Sequence, residues 1–256
     1  MKSKMKDYLR DVATSPIGAA VKARAIQLLE LTSGECVVDV GCGPGVDTVS
    51  MARLVGPTGR VIGIDFDPEM VREANASAKE QGVATWTEHY VASATSLPIS
   101  NEGTDAWHSE RLLQHLPEDQ PLKALTEATR VLKRGGRLVV VDTDWGTLSI
   151  ASRYIYTERR LVGLHARRFA SGYVGRVLPL LVRQAGLLRT HSECYSVVLT
   201  PENLDFVFNS TERVALSTGL ITQLEWRQWR ADLARLRTSG DGQATVTATL
   251  VAAKRP

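Results

Sequence analysis

The chain has 256 residues, 43% hydrophobic and 23% charged, a composition that fills one sizeable globular core and excludes a disordered or fibrous polypeptide. Its 31 Lys and Arg against 28 Asp and Glu leave a net charge of +3, and the basic residues are scattered. A cationic face for nucleic-acid phosphates is therefore not expected, and a small-molecule partner is. No apolar run approaches the ~20 residues that span a bilayer, and the N-terminus carries no apolar signal core. Cys36, Cys42 and Cys194 offer neither a disulfide framework nor metal-ligand spacing, so a cytoplasmic protein without a metal site is expected.

In chain order, Ile17, Val21, Ile26, Leu29 and Leu31 recur at helical spacing after Ser15-Pro16, which caps a leading helix that Gly34 stops. Cys36 to Val40 is a short β-branched strand, followed by the glycine turn Gly41-Cys42-Gly43-Pro44-Gly45 and a helix from Val46 to Leu54. Arg60 to Asp65 is a second strand, and Asp67-Pro68 opens a helix running to about Gln81. Trp86 to Ala92 and Thr104 to Ser109 read as strands, Pro121 to Leu132 as a helix, and Gly136 to Asp142 as a fifth strand. Thr147 to Gly186 reads as mostly helical, Tyr195 to Leu199 as a strand, and Ala244 to Ala253 as the final strand. Strands alternating with helices predict a doubly wound, mostly parallel sheet of seven strands with helices on both faces.

In such a sheet the ligand sits outside the carboxyl ends of the strands, against a turn whose glycines let it approach the backbone. Gly41, Gly43 and Gly45 stand there in the spacing G-x-G-x-G. A nicotinamide fingerprint needs a further glycine or alanine where Val46 stands, and an apolar residue where Asp39 stands. Asp65, ending the next strand, is placed to accept hydrogen bonds from ribose hydroxyls, so a ribose-containing cofactor is expected.

The run Val37 to Gly45 resembles motif I of the class I S-adenosylmethionine-dependent methyltransferases. Later segments agree with it in the family's order. Val61 to Met70 is similar to its ribose strand and Ala94-Thr95-Ser96-Leu97-Pro98 to its adenine loop. Thr104 to Trp107 with Leu113 to Leu116 resembles the fourth-strand motif, and Arg130 to Arg137 the turn into strand five. The set spans about residues 35 to 142 and resembles most the branch that includes ubiquinone- and menaquinone-biosynthesis enzymes. The resemblance implies a Rossmann-like fold and S-adenosylmethionine as cofactor. Asp39 and the Gly41 to Gly45 turn, Cys42 included, would meet its methionine portion, Asp65 the ribose, Phe66 the adenine face, and Ser93 and Ala94 the adenine edge. Many relatives carry an aspartate where Ser93 stands, and an alanine or threonine where Cys42 stands.

Beyond strand four, Glu110 and Arg111 are either an internal ion pair or contacts to the cofactor's amino and carboxylate groups. His115 titrates near neutrality and is either a general base or a structural residue of its turn. Asp142 and Trp145, leaving strand five, are candidates to face the acceptor, and Asp144 either orients or deprotonates it or caps a helix. Lid arginines such as Arg153, Arg168 and Arg176 read as a solvated face. Trp226 and Trp229 share a helix face suited to core or homodimer packing.

One domain is expected: residues 1–34 a helical cap, 35–142 the cofactor core, 145–190 and 201–240 lid insertions, and 244–253 the closing strand. The expected activity is methyl transfer to O, N or C of a small-molecule acceptor, natural-product or quinone-like. The alternatives are an NAD(P)-dependent oxidoreductase, or a methyltransferase-like scaffold or cofactor-bound cyclase.

Overall fold

The computed structural model describes residues 15–117, 119–239 and 243–256. The chain begins with α1 (Pro16–Leu28), where Ser15 accepts a hydrogen bond from the Gly18 amide at 3.1 Å and Pro16 pre-sets the first turn. A first βαβαβ run follows: β1 (Cys36–Val40), α2 (Val46–Val55), β2 (Arg60–Asp65), α3 (Pro68–Glu80) and β3 (Thr87–Val91). Then come β4 (Thr104–Glu110), α4 (Gln120–Val131), β5 (Leu132–Ile150), α5 (Ile155–Ala166), α6 (Val174–Gln184), β6 (Leu188–Leu199), α7 (Pro201–Ser217), α8 (Gln223–Ser239) and β7 (Ala244–Lys254).

The seven strands lie in the order β3-β2-β1-β4-β5-β7-β6. β1, β2, β3, β4 and β5 pair in parallel, and β7 runs antiparallel between β5 and β6. The order reverses between β1 and β4, the switch point at which a crevice opens beyond the strand ends. Strands such as β1, buried over four of five residues, are apolar on both faces because helices cover both. One core joins Val37, Val139 and Val141 to Val21, Leu29, Met51, Leu161, Phe208 and Trp229. The other joins Val38, Val40, Ile64 and Trp107 to Leu125, Leu178 and Val182.

Strand boundaries in the second half of the chain depart from the sequence reading. β5 continues eight residues past Asp142, pairing Asp142, Thr143 and Asp144 with Thr249, Ala248 and Thr247, and after an irregularity Ser149 and Ile150 with Thr245 and Ala244. Within that irregularity the Thr147 hydroxyl accepts from the Thr247 amide at 2.8 Å, replacing a ladder bond. Thr147 to Ile150 is thus strand rather than helix, held by a partner a hundred residues away. β6 likewise starts at Leu188 rather than Tyr195, because β7 pairs with it along its whole length. No helix among the described residues is long and apolar enough to cross a membrane.

Candidate active site

The turn after β1 is shaped by two glycines for different reasons. Gly43 has φ 52°, in the left-handed region, and a Cβ there would meet nothing within 4 Å, so the turn presents bare backbone to open space. Gly45 has φ 85° and starts α2, and its Cβ would come within 3.0 Å of Ala74, so α3 can pack only against a glycine. The turn is pinned from below by the Gly41 and Cys42 amides, which donate to the Ile64 carbonyl at 2.7 and 3.0 Å. Cys42 is buried, and burial followed by the charges of Asp39 and Asp65 pushes its thiol far up, so it is a filler rather than a thiolate.

Asp65 braces the turn. Its Oδ2 accepts from the Gly43 amide and its Oδ1 from the Asp67 amide, both at 2.9 Å. Phe66 beside it is 83% exposed, a free aromatic face at the end of β2. Ser93 shares a 2.9 Å hydrogen bond with Thr95, and Ala94 is buried below.

Under the turn, Asp39 of β1 is buried, and its Oδ1 accepts from His108 Nδ1 of β4 at 2.8 Å. Burial pushes the Asp39 carboxyl up, opposed by the hydrogen bond and charge of His108. Its other oxygen, Oδ2, is buried with no hydrogen-bond partner among the described residues. A buried carboxylate oxygen beside an open glycine turn calls for a cationic donor, which the ammonium of an S-adenosylmethionine methionine portion would be.

Lys22 of α1 joins this cradle to its neighbour, donating to Asp47 of α2 at 2.7 Å and to Glu110 at the end of β4 at 2.8 Å. Glu110 therefore pairs with Lys22. Arg111 adopts a left-handed conformation, φ 57°, and its amide donates to the Val141 carbonyl at 2.8 Å. Glu110, Arg111, Thr143 and Trp145 help line a recess under α1, walled otherwise by Val21, Val141, Val197, Leu199 and Val246. Its empty space is about 530 Å³ counting the open mouth.

The remaining candidates divide. Trp145 lines the recess, donates from Nε1 to Gln114 Oε1 at 2.8 Å and stacks on Phe169 at 5.0 Å between centroids. Asp142 is fully buried and does not line the recess. Its Oδ2 accepts from the Leu113 amide at 2.7 Å and its Oδ1 from the Thr143 amide at 2.9 Å, and burial pushes its pKa to about 7. Asp144 is buried against the exposed Arg176. His115 keeps an exposed edge, its Nε2 accepts from Gln114 Nε2 at 3.2 Å, and partial desolvation, followed by the charge of Arg111, holds it below its ordinary pKa.

Lys22, His108, Gln114 and Arg176 are functional or supporting residues that sequence reasoning did not assign. His108 alone carried a local signal, a polar residue in a buried strand, and it lies directly opposite the buried acid Asp39 on the neighbouring strand β1. Trp226 and Trp229 both donate to the buried Glu212, at 2.9 and 3.1 Å, and so tie α8 to α7.

A family model described as a methyltransferase domain matches residues 37–136. A 37.1 kDa protein of transposon TN4556 from Streptomyces fradiae, itself uncharacterised, is 33% identical over 96% of this chain and 70% of its own length. A demethylmenaquinone methyltransferase from Lactococcus lactis is 33% identical over 50% of each chain, so the match spans about half of that relative. Among solved structures, the [4+2]-cyclase SpnF superimposes with a TM-score of 0.61 at 19% identity, over 98% of this chain and 93% of its own. The chain belongs to the class I S-adenosylmethionine-dependent methyltransferases, in the likeness of the ubiquinone and menaquinone branch. S-adenosylmethionine is its cofactor.

Proposed function

We propose that the chain transfers the methyl group of S-adenosylmethionine to a nucleophilic oxygen, nitrogen or carbon of a small, largely apolar acceptor held in the recess under α1. The observation that carries this reading is the adjacency of the glycine turn to that recess through Lys22, whose ammonium contacts both Asp47 behind the turn and Glu110 in the recess wall.

The cofactor brings an electrophilic methyl group on a positively charged sulfur, so the protein need not supply a nucleophile. Asp39 and the Gly41 to Gly45 turn bind its methionine portion, Asp65 the ribose, Phe66 the adenine face, and Ser93 with Ala94 the adenine edge. The valines, Leu199 and Trp145 exclude water and orient the acceptor, and positioning of this kind can lower a barrier by ~7 to 11 kcal/mol. Where the acceptor must lose a proton, His115 is the group we assign to take it: it is exposed and, with its pKa lowered, neutral at pH 7. In this reading α1 is the cap over the recess, and the helices between β5 and β6 and between β6 and β7 are its lid; residues 1–14 of the expected cap and residue 240 of the expected lid lie outside the described residues.

The test is direct. Purified protein is incubated with methyl-labelled S-adenosylmethionine and a panel of quinones, phenols and terpenoids, and both S-adenosylhomocysteine and labelled product are followed. Binding of NADH in place of S-adenosylhomocysteine would overturn the reading, and conversion of an acceptor without release of S-adenosylhomocysteine would make the chain a cofactor-bound cyclase.

A further inference from the structure

His108 and Asp39 form a buried pair in which Asp39 is assigned to the cofactor's methionine portion and His108 has so far no role. Both side chains are shut off from solvent, and Nδ1 of His108 spends its proton on Oδ1 of Asp39 alone. The parallel register sets the two residues directly opposite one another on β4 and β1, so the bond is built into the sheet rather than into a loop. Oδ2 is left without a partner at the carboxyl end of β1, two residues before Gly41.

We infer that His108 is a positioning residue of the cofactor site: it holds Asp39 by one oxygen and keeps it ionised, so that the other oxygen receives the ammonium of the cofactor's amino-acid end. This rests on the S-adenosylmethionine reading of the glycine turn. A carboxylate buried without a partner takes up a proton, and a protonated Asp39 would offer the ammonium no charge. Burial also disfavours imidazolium, but the Asp39 carboxylate outweighs it and raises His108 above its ordinary value. The other charged groups facing the pair are Lys22 of α1, Asp47 of α2 and Glu110 at the end of β4. Lys22 contacts both of those acids, so His108 is the cation within hydrogen-bond reach of Asp39.

The consequence has a sign. Without His108 the Asp39 carboxyl has only burial acting on it from within the pair, its pKa rises further, and its ionised fraction at neutral pH falls. Cofactor affinity should then be lost at low pH and recovered as pH rises, relative to the wild-type chain.

The experiment is calorimetric titration of S-adenosylhomocysteine and of 5′-methylthioadenosine into the wild-type, His108→Leu and His108→Asn chains, from about pH 6.5 to about pH 8.5. Methylthioadenosine keeps the nucleoside and thioether but lacks the amino-acid end. His108→Leu should bind S-adenosylhomocysteine about tenfold or more weakly at pH 7, with the ratio to wild type shrinking as pH rises, and should bind methylthioadenosine as wild type does. Asn keeps an N–H near the position of Nδ1 without the charge, so its deficit should be smaller and follow the same pH trend. Should the leucine variant fail to fold, the asparagine variant carries the test alone. Equal S-adenosylhomocysteine affinity in variant and wild type overturns the inference, and so does an equal loss for both ligands, which would make His108 a mere support of the turn. A wild-type chain that binds neither ligand overturns the cofactor reading itself, and the inference with it.

Discussion

Arg176 grips both oxygens of Asp144: its Nε stands 2.6 Å from Oδ2 and its Nη2 2.9 Å from Oδ1. Oδ1 also accepts from the Gly146 amide at 3.0 Å, so the carboxylate is fully engaged in tying α6 to β5. Such a two-point pair fixes the carboxylate's geometry and leaves its oxygens already occupied by protein donors. Asp144→Asn and Arg176→Gln should therefore each lower unfolding stability by about 1 to 2 kcal/mol, with the double variant losing less than the sum. Turnover should track stability in both. A loss of more than ~10-fold in Asp144→Asn, with Arg176→Gln near wild type, would instead give Asp144 a role on the acceptor.

Asp65 serves two partners at once, the Gly43 and Asp67 amides, and in the function proposed above it also accepts from the ribose hydroxyls. Asp65→Ala should weaken S-adenosylhomocysteine binding by ~1 to 3 kcal/mol, the cost of unpaired buried hydroxyls, while circular dichroism stays normal. Calorimetry that returned the wild-type dissociation constant would remove Asp65 from ribose binding.

The first half of the chain was legible because its signals are local. Arg60 to Asp65 is bounded as read, and the glycine turn, the Asp67 cap and the strand-helix alternation all fall within a few residues of one another. The second half depends on partners far away in the chain. Whether Thr143 to Ile150 is strand or loop is decided by Ala244 to Ala248, and neither segment's own periodicity reveals the pairing. The same holds in the site. Glu110 next to Arg111 suggests a neighbouring ion pair, yet a lysine 88 positions earlier supplies the contact once α1 folds across the strand ends. Asp142 looks available at a strand terminus, but its Oδ2 is taken by the Leu113 amide of the turn after β4, which needed a cap, and its Oδ1 by the amide of Thr143 next to it.

Gly43 and Gly45 should separate binding from folding. At Gly43 a methyl group meets no protein atom, so Gly43→Ala carries mainly the strain of its positive φ, on the order of 1 kcal/mol in stability. It projects into the space the cofactor would fill, so affinity for S-adenosylhomocysteine should fall much further, by about tenfold or more. Gly45→Ala meets Ala74 at 3.0 Å in addition to the strain, and its stability should suffer more than that of Gly43→Ala. Thermal denaturation and calorimetry on the two variants read the two quantities; unchanged affinity in Gly43→Ala would mean the ligand does not approach this turn.

His165 predicts how the fold responds to acid. It is buried in an aromatic cluster, edge-on to Trp145 at 4.9 Å and to Phe169 at 5.4 Å, with Nδ1 bonded to the Thr211 hydroxyl at 3.2 Å. Its Nε2 has no hydrogen-bond partner among the described residues, and the perpendicular ring geometry suits a weak N–H to indole contact instead. Burial, and secondarily Arg168, lowers its pKa from 6.5 to about 4. A histidine depressed on folding binds fewer protons folded than unfolded between those two values. Its contribution is thus fully present above about pH 6.5 and is lost as pH falls towards about 4, by up to about 3 kcal/mol. His165→Phe keeps an aromatic ring in the cluster and removes the titration, so between those pH values its melting temperature should fall less steeply than that of the wild-type chain. Parallel pH profiles for the two proteins would show that His165 is not the group whose protonation loosens the lid.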